Sequence, residues 1–444
     1  MPPKAVFTEK STLHHVVVMS ATGALGLISM FMVDLIDIFF LSMLDQKEII
    51  AAVGFASSIM FFMISLALAV SISGVALISK AIGLGDKELA KRRAINVLVF
   101  GTLLSFFIVW LIAPKIPHLL LFLGAAGRTL DLATSYLQIT ILGLPAIMIG
   151  MVGAGIMRAV GDAKRAMYAT FITGVVNAIL DPIFIFVFDL GLDGAAIASL
   201  IARFSTLIIV YYGVVRIHKM LGQFDWLYFY QDLRSLLKIA LPTMLANMSS
   251  PLANAIVTEH IAEFGDDAVA AYAIIGRVIP VVFAGLFALS AAVGPILGQN
   301  YGAGNFVRMQ QTITSAILYS LVYSLLVCWG LYSVQFWFVE LFNATQKTAI
   351  LIHFFSTYIT FSFFFQSLLF IAIAAFNNLG SPKTSAWLNF GRATVGTWPL
   401  IVIFGWLFDA EGIFIGQALG SIIFGCIGLI LAKRHIKRLA LNAK

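Results

Sequence analysis

Charge is scarce in this chain. Of 444 residues only 11% are Asp, Glu, Lys or Arg, while 61% are hydrophobic. Soluble domains carry about a quarter charged residues, so a mean hydropathy of +0.99 excludes one. Cysteine is scarcer still. Cys328 and Cys426 lie in separate apolar runs without CxxC or other metal spacing, and they read as small buried hydrophobes. No Ser/His/Asp or HExxH arrangement is visible, and the histidines sit at the edges of apolar runs. An enzyme would need such a cluster. The glycine-rich "GLG" and "GAG" lack a following Lys-Ser/Thr, so they are helix ends in tight turns rather than phosphate loops. No signature of nucleic-acid binding is present. No cleavable leader is expected either: residues 1–12 are polar, and the apolar run behind them is too long for a signal segment.

What fills the chain instead is twelve apolar runs. They cover about 13–42, 49–80, 94–114, 129–157, 166–188, 194–215, 236–262, 268–299, 310–332, 348–376, 384–407 and 412–432. Each is long enough to cross a hydrocarbon core of about 30 Å as a helix. The alternating ten-residue segments of a membrane barrel are not seen. The expected fold is therefore an all-α polytopic membrane protein. Lys and Arg orient it. The N-terminus, the even-numbered connections and the C-terminus hold 21 of them, counting Lys80 and Lys238 at the ends of the adjoining runs, and the odd-numbered connections hold four. Both termini are expected in the cytoplasm.

The two halves repeat. "AAVGFASSIMFF" from Ala51 aligns with "AAYAIIGRVIPV" from Ala270 at an offset of 219. The same offset sets "RAVGDAK" from Arg158 on "NNLGSPK" from Asn377, and near the end "DGAAIAS" meets "EGIFIGQ" at 218. This predicts two pseudo-symmetric six-helix lobes in parallel duplication: residues 1–217, then an interfacial linker at 218–234, then 235–444. The linker mixes basic and aromatic residues, with Trp226, Tyr228 and Tyr230 suited to headgroup depth. Substrate sites in duplicated transporters lie near the midplane.

A carboxylate at mid-span costs about 2.5–3.5 kcal/mol on insertion scales. Of 21 acids only Asp34, Asp37 and Asp181 fall well inside the runs, all in the first half. At the 219 offset Asp37 falls on Ile256 and Asp181 on Leu400. A need of the fold would appear in both copies, whereas a chemical task can live in one. Asp34 and Asp37 are three apart on one helical face, and Asn177 and Asp181 are four apart on another. Pro182 removes an N–H and crowds the carbonyl of residue 178, loosening the helix beside the acid. Oxygen donors of this kind suit a proton or a hard cation, not a transition metal. Were the ion Na⁺, Asp37, Asn177 and Asp181 would be its ligands. The alternative is a packing network of hydrogen-bonded Asp and Asn. Among the arginines inside runs, Arg203 either reaches the Asp181 neighbourhood or snorkels. Arg277 and Arg392 either line the second lobe or pair with helix-end carbonyls.

These residues resemble the MATE (multidrug and toxic compound extrusion) family across nearly the whole chain. The motifs are "DIFFLSMLDQKEIIAAVGF", "GIMRAVGDAKRAM", "NAILDPIF" with "GLDGAAIAS", "FGDDAVAAYAI" and "GPILGQNYGAGN". The resemblance implies twelve helices in two lobes around a V-shaped cleft. It also implies cation-coupled efflux of amphipathic, often cationic, compounds. It maps a cation site onto Asp37, Asn177, Asp181 and Ser199, with the Ala195 backbone as a further ligand and Tyr136 lining the same cavity. Members of the NorM type carry acids in spans 7 and 10. Here span 10 has none, so the chain is more similar to the DinF branch, although its first span lacks the proline some of that branch carry.

The expectation is a secondary antiporter of the inner membrane rather than an enzyme. It would export drugs or toxic organic compounds and work as a monomer. Its only partner besides the substrate would be the bilayer. No cofactor is expected beyond the coupling ion, H⁺ ahead of Na⁺. A flippase for a lipid-linked saccharide, of the same superfamily, is the alternative.

Overall fold

Helices end where the apolar runs meet Gly, Asp, Asn and Pro. The computed structural model describes residues 5–44, 46–342 and 344–443, with backbone alone at 47, 250 and 252. The first half holds α1 (Thr12–Ser42), α2 (Lys47–Gly83), α3 (Lys87–Ile112), α4 (Ile116–Phe122), α5 (Gly127–Ile141), α6 (Leu144–Ala159), α7 (Ala163–Pro182) and α8 (Gly191–Val210). The second holds α9 (Trp226–Ala262), α10 (Asp266–Val282), α11 (Ala284–Gly302), α12 (Phe306–Leu341), α13 (Gln346–Phe354), α14 (Ser362–Asn378), α15 (Pro382–Ala393) and α16 (Trp398–Asn442). Short π stretches continue α7, α8 and α13. No strand occurs among the described residues.

All twelve apolar runs are helical. Three are helix pairs bent at a short break: α5/α6 by 48°, α10/α11 by 46° and α13/α14 by 58°. Runs 11 and 12 form one stretch, Pro382–Asn442, because α16 turns back on itself. Phe408 and Asp409 leave helical geometry, Asp409 with φ at 54°. A Cβ on Gly412 would lie 1.8 Å from the Phe404 carbonyl oxygen, one on Gly416 2.6 Å from the Ile401 nitrogen, and one on Gly420 2.0 Å from the Gly396 carbonyl oxygen. The partners step backward as the glycines step forward, so the two limbs run antiparallel with their backbones touching. Small residues four apart permit that approach between membrane helices.

The repeat is visible in backbone detail. Gly85 and Gly304 share positive φ (76° and 68°), as do Gly161 and Gly380 (93° and 85°). These left-handed glycines close α2, α11, α6 and α14. Capping repeats too: Asp86 accepts from the Leu89 N–H at 2.9 Å and Asn305, 219 residues on, from the Arg308 N–H at 3.3 Å.

Two compact units emerge, and their limits differ from the expected 1–217, 218–234 and 235–444. One comprises Leu25–Ile82 and Asp86–Ala240; the other Ala5–Ala24, Gly83–Gly85 and Leu241–Lys444. Hydrogen bonds explain both differences. The Phe7 N–H donates to Gln299 Oε1 at 3.0 Å, Asn300 donates to the Phe7 carbonyl at 3.1 Å, and Arg308 donates to the carbonyls of Phe7, Glu9 and Lys10. The start of α1 is thereby fixed in the second unit. The expected linker is helical from Trp226 and is held in the first unit by Asp232. Its carboxylate receives Arg92 Nε at 3.1 Å and Asn96 Nδ2 at 2.8 Å, and the Arg92 guanidinium lies 4.6 Å from the Tyr228 ring centre. Cys328 and Cys426 are unpaired and half-buried rather than fully buried, as fits apolar side chains near a lipid-facing surface.

Asp162 anchors the connection before α7. It caps that helix through the Arg165 N–H at 3.1 Å and contacts Arg165 and His218 at 2.5 and 2.7 Å. Burial alone would raise its carboxyl, but the hydrogen bonds from His218 and Arg165 outweigh that and hold it down at about 2.

Two measurements test these features. Gly416→Leu is expected to destabilise the fold by about 2 kcal/mol or more, whereas Gly330→Leu, with open space around it, is tolerated. Thermal unfolding of the purified variants decides, and equal melting of the two would sink the backbone-contact account. Because folding lowers the Asp162 pKa, its stabilisation is complete above the unfolded value near 4 and is lost as pH falls toward about 2. The melting deficit of Asp162→Asn relative to the parent is therefore expected to shrink across that window.

Candidate cation-coupling site

The polar residues of α1 and α7 meet inside the first unit. Asn177 is the bridge. Its amide nitrogen donates to Asp37 Oδ1 at 2.9 Å and to Asp181 Oδ2 at 2.7 Å. The four-residue spacing within α7 produces the second bond directly; the first ties α7 to α1. Asp181 is fully buried, Asn177 nearly so and Asp37 half-buried. Because both carboxyl groups accept from the one amide nitrogen, they are held side by side. The other oxygen of Asp181, Oδ1, is buried without a hydrogen-bond partner among the described residues. The cluster is thus an acceptor-rich group whose chemistry suits a proton or a small hard cation.

Asn177 presents N–H groups, not its carbonyl oxygen, to both carboxylates. In this orientation the amide supports the two acids as a donor. Among the described residues no three His, Cys, Asp or Glu side chains are set to hold a metal ion.

Beside the acid the backbone opens as the sequence predicts. Pro182 is the last residue of α7, and the chain continues as a π turn over Ile183–Val187, closed by the Phe188 N–H on the Ile183 carbonyl at 2.9 Å. The neighbouring helix α8 comes close because residue 194 is glycine: a Cβ there would be 2.5 Å from the Phe184 carbonyl oxygen. Ser199 and Ala195 are buried on this α8. Among the described residues no hydrogen bond joins Ser199 to the Asp37–Asn177–Asp181 trio.

Asp34 stands apart from the trio. Its side chain is exposed and lies within electrostatic reach of Arg203. Arg203 does not bond Asp181. It donates to the Thr140 carbonyl at 2.6 Å, at the end of α5, and its charge acts on Asp34, Asp37 and Tyr136. The sequence reading missed this carbonyl partner. The signal was "GLP" at Gly143–Pro145, which breaks span 4 between α5 and α6 and frees carbonyls there. Gly143 leaves room for the arginine, since a Cβ would sit 2.8 Å from Arg203 Cδ. Tyr136, one turn before Thr140, is half-buried and feels Arg203 and all three aspartates.

Arg277 and Arg392 belong to the second unit. Arg277 is exposed on α10, and Arg392 is buried in the last turn of α15.

Comparisons with known proteins agree on the kind of molecule. The MatE family profile matches residues 24–183 and 242–403, which are corresponding parts of the two halves. The chain is similar to a protein of Shewanella oneidensis named FAD transporter, 26% identical over 422 residues, covering 94% of this chain and 93% of that one. It is also similar to the multidrug export protein MepA of Staphylococcus aureus, 25% identical over 319 residues, covering 70% and 69%. Its fold matches a multidrug resistance MATE transporter of the MOP superfamily in an outward-facing conformation, with a TM-score of 0.93 at 23% identity over 98% of both chains. A mutant of the Vibrio cholerae MATE transporter VcmN matches at 0.92 and 26%, over 97% of this chain and 98% of that one.

The bridge itself can be tested. Asn177→Ala leaves two facing carboxyl groups without their shared donor and is expected to lower the unfolding free energy by about 1–3 kcal/mol. An unchanged melting temperature at neutral pH would mean the amide bonds carry no weight.

Proposed function

This chain belongs to the MatE family, and we propose that it is a secondary antiporter that exports small organic compounds in exchange for inward protons. One observation carries the reading: a single amide holds Asp37 and Asp181 together inside otherwise apolar helices. In this reading a proton from outside enters the pair and relieves the repulsion between the two adjacent carboxylates. The outward state then binds substrate less tightly, and the compound leaves. A bound ion shifts a conformational equilibrium only through its different affinity for the two states. A site whose repulsion depends on one proton supplies that difference.

Amphipathic, often cationic, compounds are the substrate class we favour, and the likeness to MepA supports it. Protons are preferred to Na⁺ because Asn177 acts as a donor. The acids' confinement to the first half supports a DinF-like rather than a NorM-like mode of coupling. Lys and Arg asymmetry supports an inner-membrane orientation with both termini in the cytoplasm. Ser199 and the Ala195 backbone would serve as secondary polar groups along the same path.

A second reading, export of an acidic compound, is favoured by the unpaired buried charge of Arg392 and by the likeness to the protein named FAD transporter.

Efflux of a cationic dye from proteoliposomes, driven separately by pH and Na⁺ gradients, tests the coupling. The pH gradient is expected to drive export, and Asp37→Asn or Asp181→Asn to reduce it about 100-fold or more, the lower end of the range for a positioned proton-transfer group. Wild-type rates in both variants would end the proposal.

A further inference from the structure

The second unit contains a positive charge with no acid or acceptor beside it among the described residues. Arg392 is 8% exposed. Its Nε is buried without an acceptor, and no hydrogen bond or ion pair from its guanidinium occurs among the described residues. No titratable neighbour acts on it. A largely buried guanidinium without a protein partner is a costly arrangement in a membrane helix.

Capping of helix-end carbonyls would be the ordinary structural explanation. The local hydrogen bonds exclude it. After α15 the chain makes an irregular turn before α16 begins at Trp398, and the turn is satisfied from within. The Phe390 carbonyl takes the Thr394 N–H at 2.9 Å, the Gly391 carbonyl takes the Gly396 N–H at 2.7 Å, and the Arg392 carbonyl takes the Thr397 hydroxyl at 2.7 Å. The guanidinium has no task left in the turn.

Its surroundings on α15 are polar as well. Ser385, Asn389 and Arg392 are spaced by four and three residues and share one face. All three are buried. Ser385 Oγ has no partner among the described residues, and Asn389 donates to the Ala246 carbonyl at 3.0 Å. The irregular turn interrupts span 11 near its middle. Non-helical backbone at that depth is tolerated where it is enclosed by protein or lines a cavity, and broken helices build transporter binding sites. The repeat adds a further link. Arg392 lies one turn before Gly396, the counterpart of Asn177 at the 219 offset. Where the first half gathers acids, the second places a base.

We propose that Arg392, with Ser385 and Asn389 on the same face, forms an oxyanion subsite in the second unit that seats the phosphate or carboxylate group of a transported compound. A planar guanidinium binds such groups through two parallel N–H bonds, and the Ser385 hydroxyl and Asn389 amide are the kind of polar groups that complete the shell. This rests on the transporter reading and assigns residues to its acidic-substrate branch.

Riboflavin 5′-phosphate and riboflavin form a matched pair that differs by one phosphate. Binding of each to the purified full chain is the test. The parent is expected to prefer the phosphate by about tenfold or more, the value of a charge-assisted hydrogen bond. Arg392→Gln should bring the two ligands to within about twofold, and Arg392→Lys should keep an intermediate preference. No preference in the parent, or an undiminished one in Arg392→Gln, overturns the subsite. If the Gln variant does not fold, Arg392→Lys decides alone, and a parent-like preference in it overturns the proposal. Thermal melting supplies a readout that a structural arginine would move differently. Without ligand, Arg392→Met is expected to melt at or above the parent, because an uncompensated charge has gone; a large drop shows a structural role and counts against the subsite. The dye-efflux assay on the parent and the Asp37 and Asp181 variants separates the two readings. Proton-driven export lost in the Asp variants but without phosphate preference sinks the subsite alone; phosphate preference with Asp-independent export sinks the coupling alone.

Discussion

Removing a charge from water is the cost against which this structure is arranged. In helices this apolar, every ionised or polar side chain needs a partner, a proton or an opening to solvent. The chain meets that demand differently at each site. Asp232 is surrounded by Arg92, Arg93 and Asn96, a paired cluster near the end of the span. Asp162 draws on a histidine, an arginine and a helix N-terminus. Asp37 and Asp181 share one amide donor, and Asp181 Oδ1 has no hydrogen-bond partner among the described residues. Arg392 has no partner among the described residues. The first two carboxylates are matched by cationic or hydrogen-bonding neighbours. The last two sites are matched less fully, which is the state that the proposed proton and oxyanion sites call for.

Much of this was legible in the sequence, for reasons that can be named. Hydrophobic run length reports a membrane crossing directly, and so every span had its helix. The Asn177–Asp181 contact was legible because both lie on one helix, where spacing is geometry. The offset of 219 foretold the paired left-handed glycines, since a backbone that must adopt positive φ admits little else.

What stayed hidden depends on contacts between distant elements. Arg203 was expected in the Asp181 neighbourhood or at the membrane edge; its charge acts on Asp34 and Asp37, but the group it hydrogen-bonds is the Thr140 carbonyl. The break at Gly143–Pro145 exposes that carbonyl, but its direction is not written in spacing. The assignment of residues 5–24 to the second unit rests on Arg308, Asn300 and Gln299, three hundred residues away. The isolation of Arg392 is a statement about which groups fail to reach it, and no motif encodes a failure. Ser199, placed at the cation site by family resemblance, is buried on the correct helix but makes no bond to the trio. Resemblance transfers a position more readily than a hydrogen bond.

The glycines of α16 have a consequence for how the chain is made. Gly412, Gly416 and Gly420 bring the last two crossings together across a turn at Phe408–Asp409, so the pairing partners are at most 24 residues apart in sequence. Contacts this local close quickly, because little chain entropy is lost in forming them. The final pair can therefore zip into a hairpin while still emerging from the insertion machinery. Asp409 and Glu411 then sit at the tip of one compact unit rather than at the ends of two separate helices.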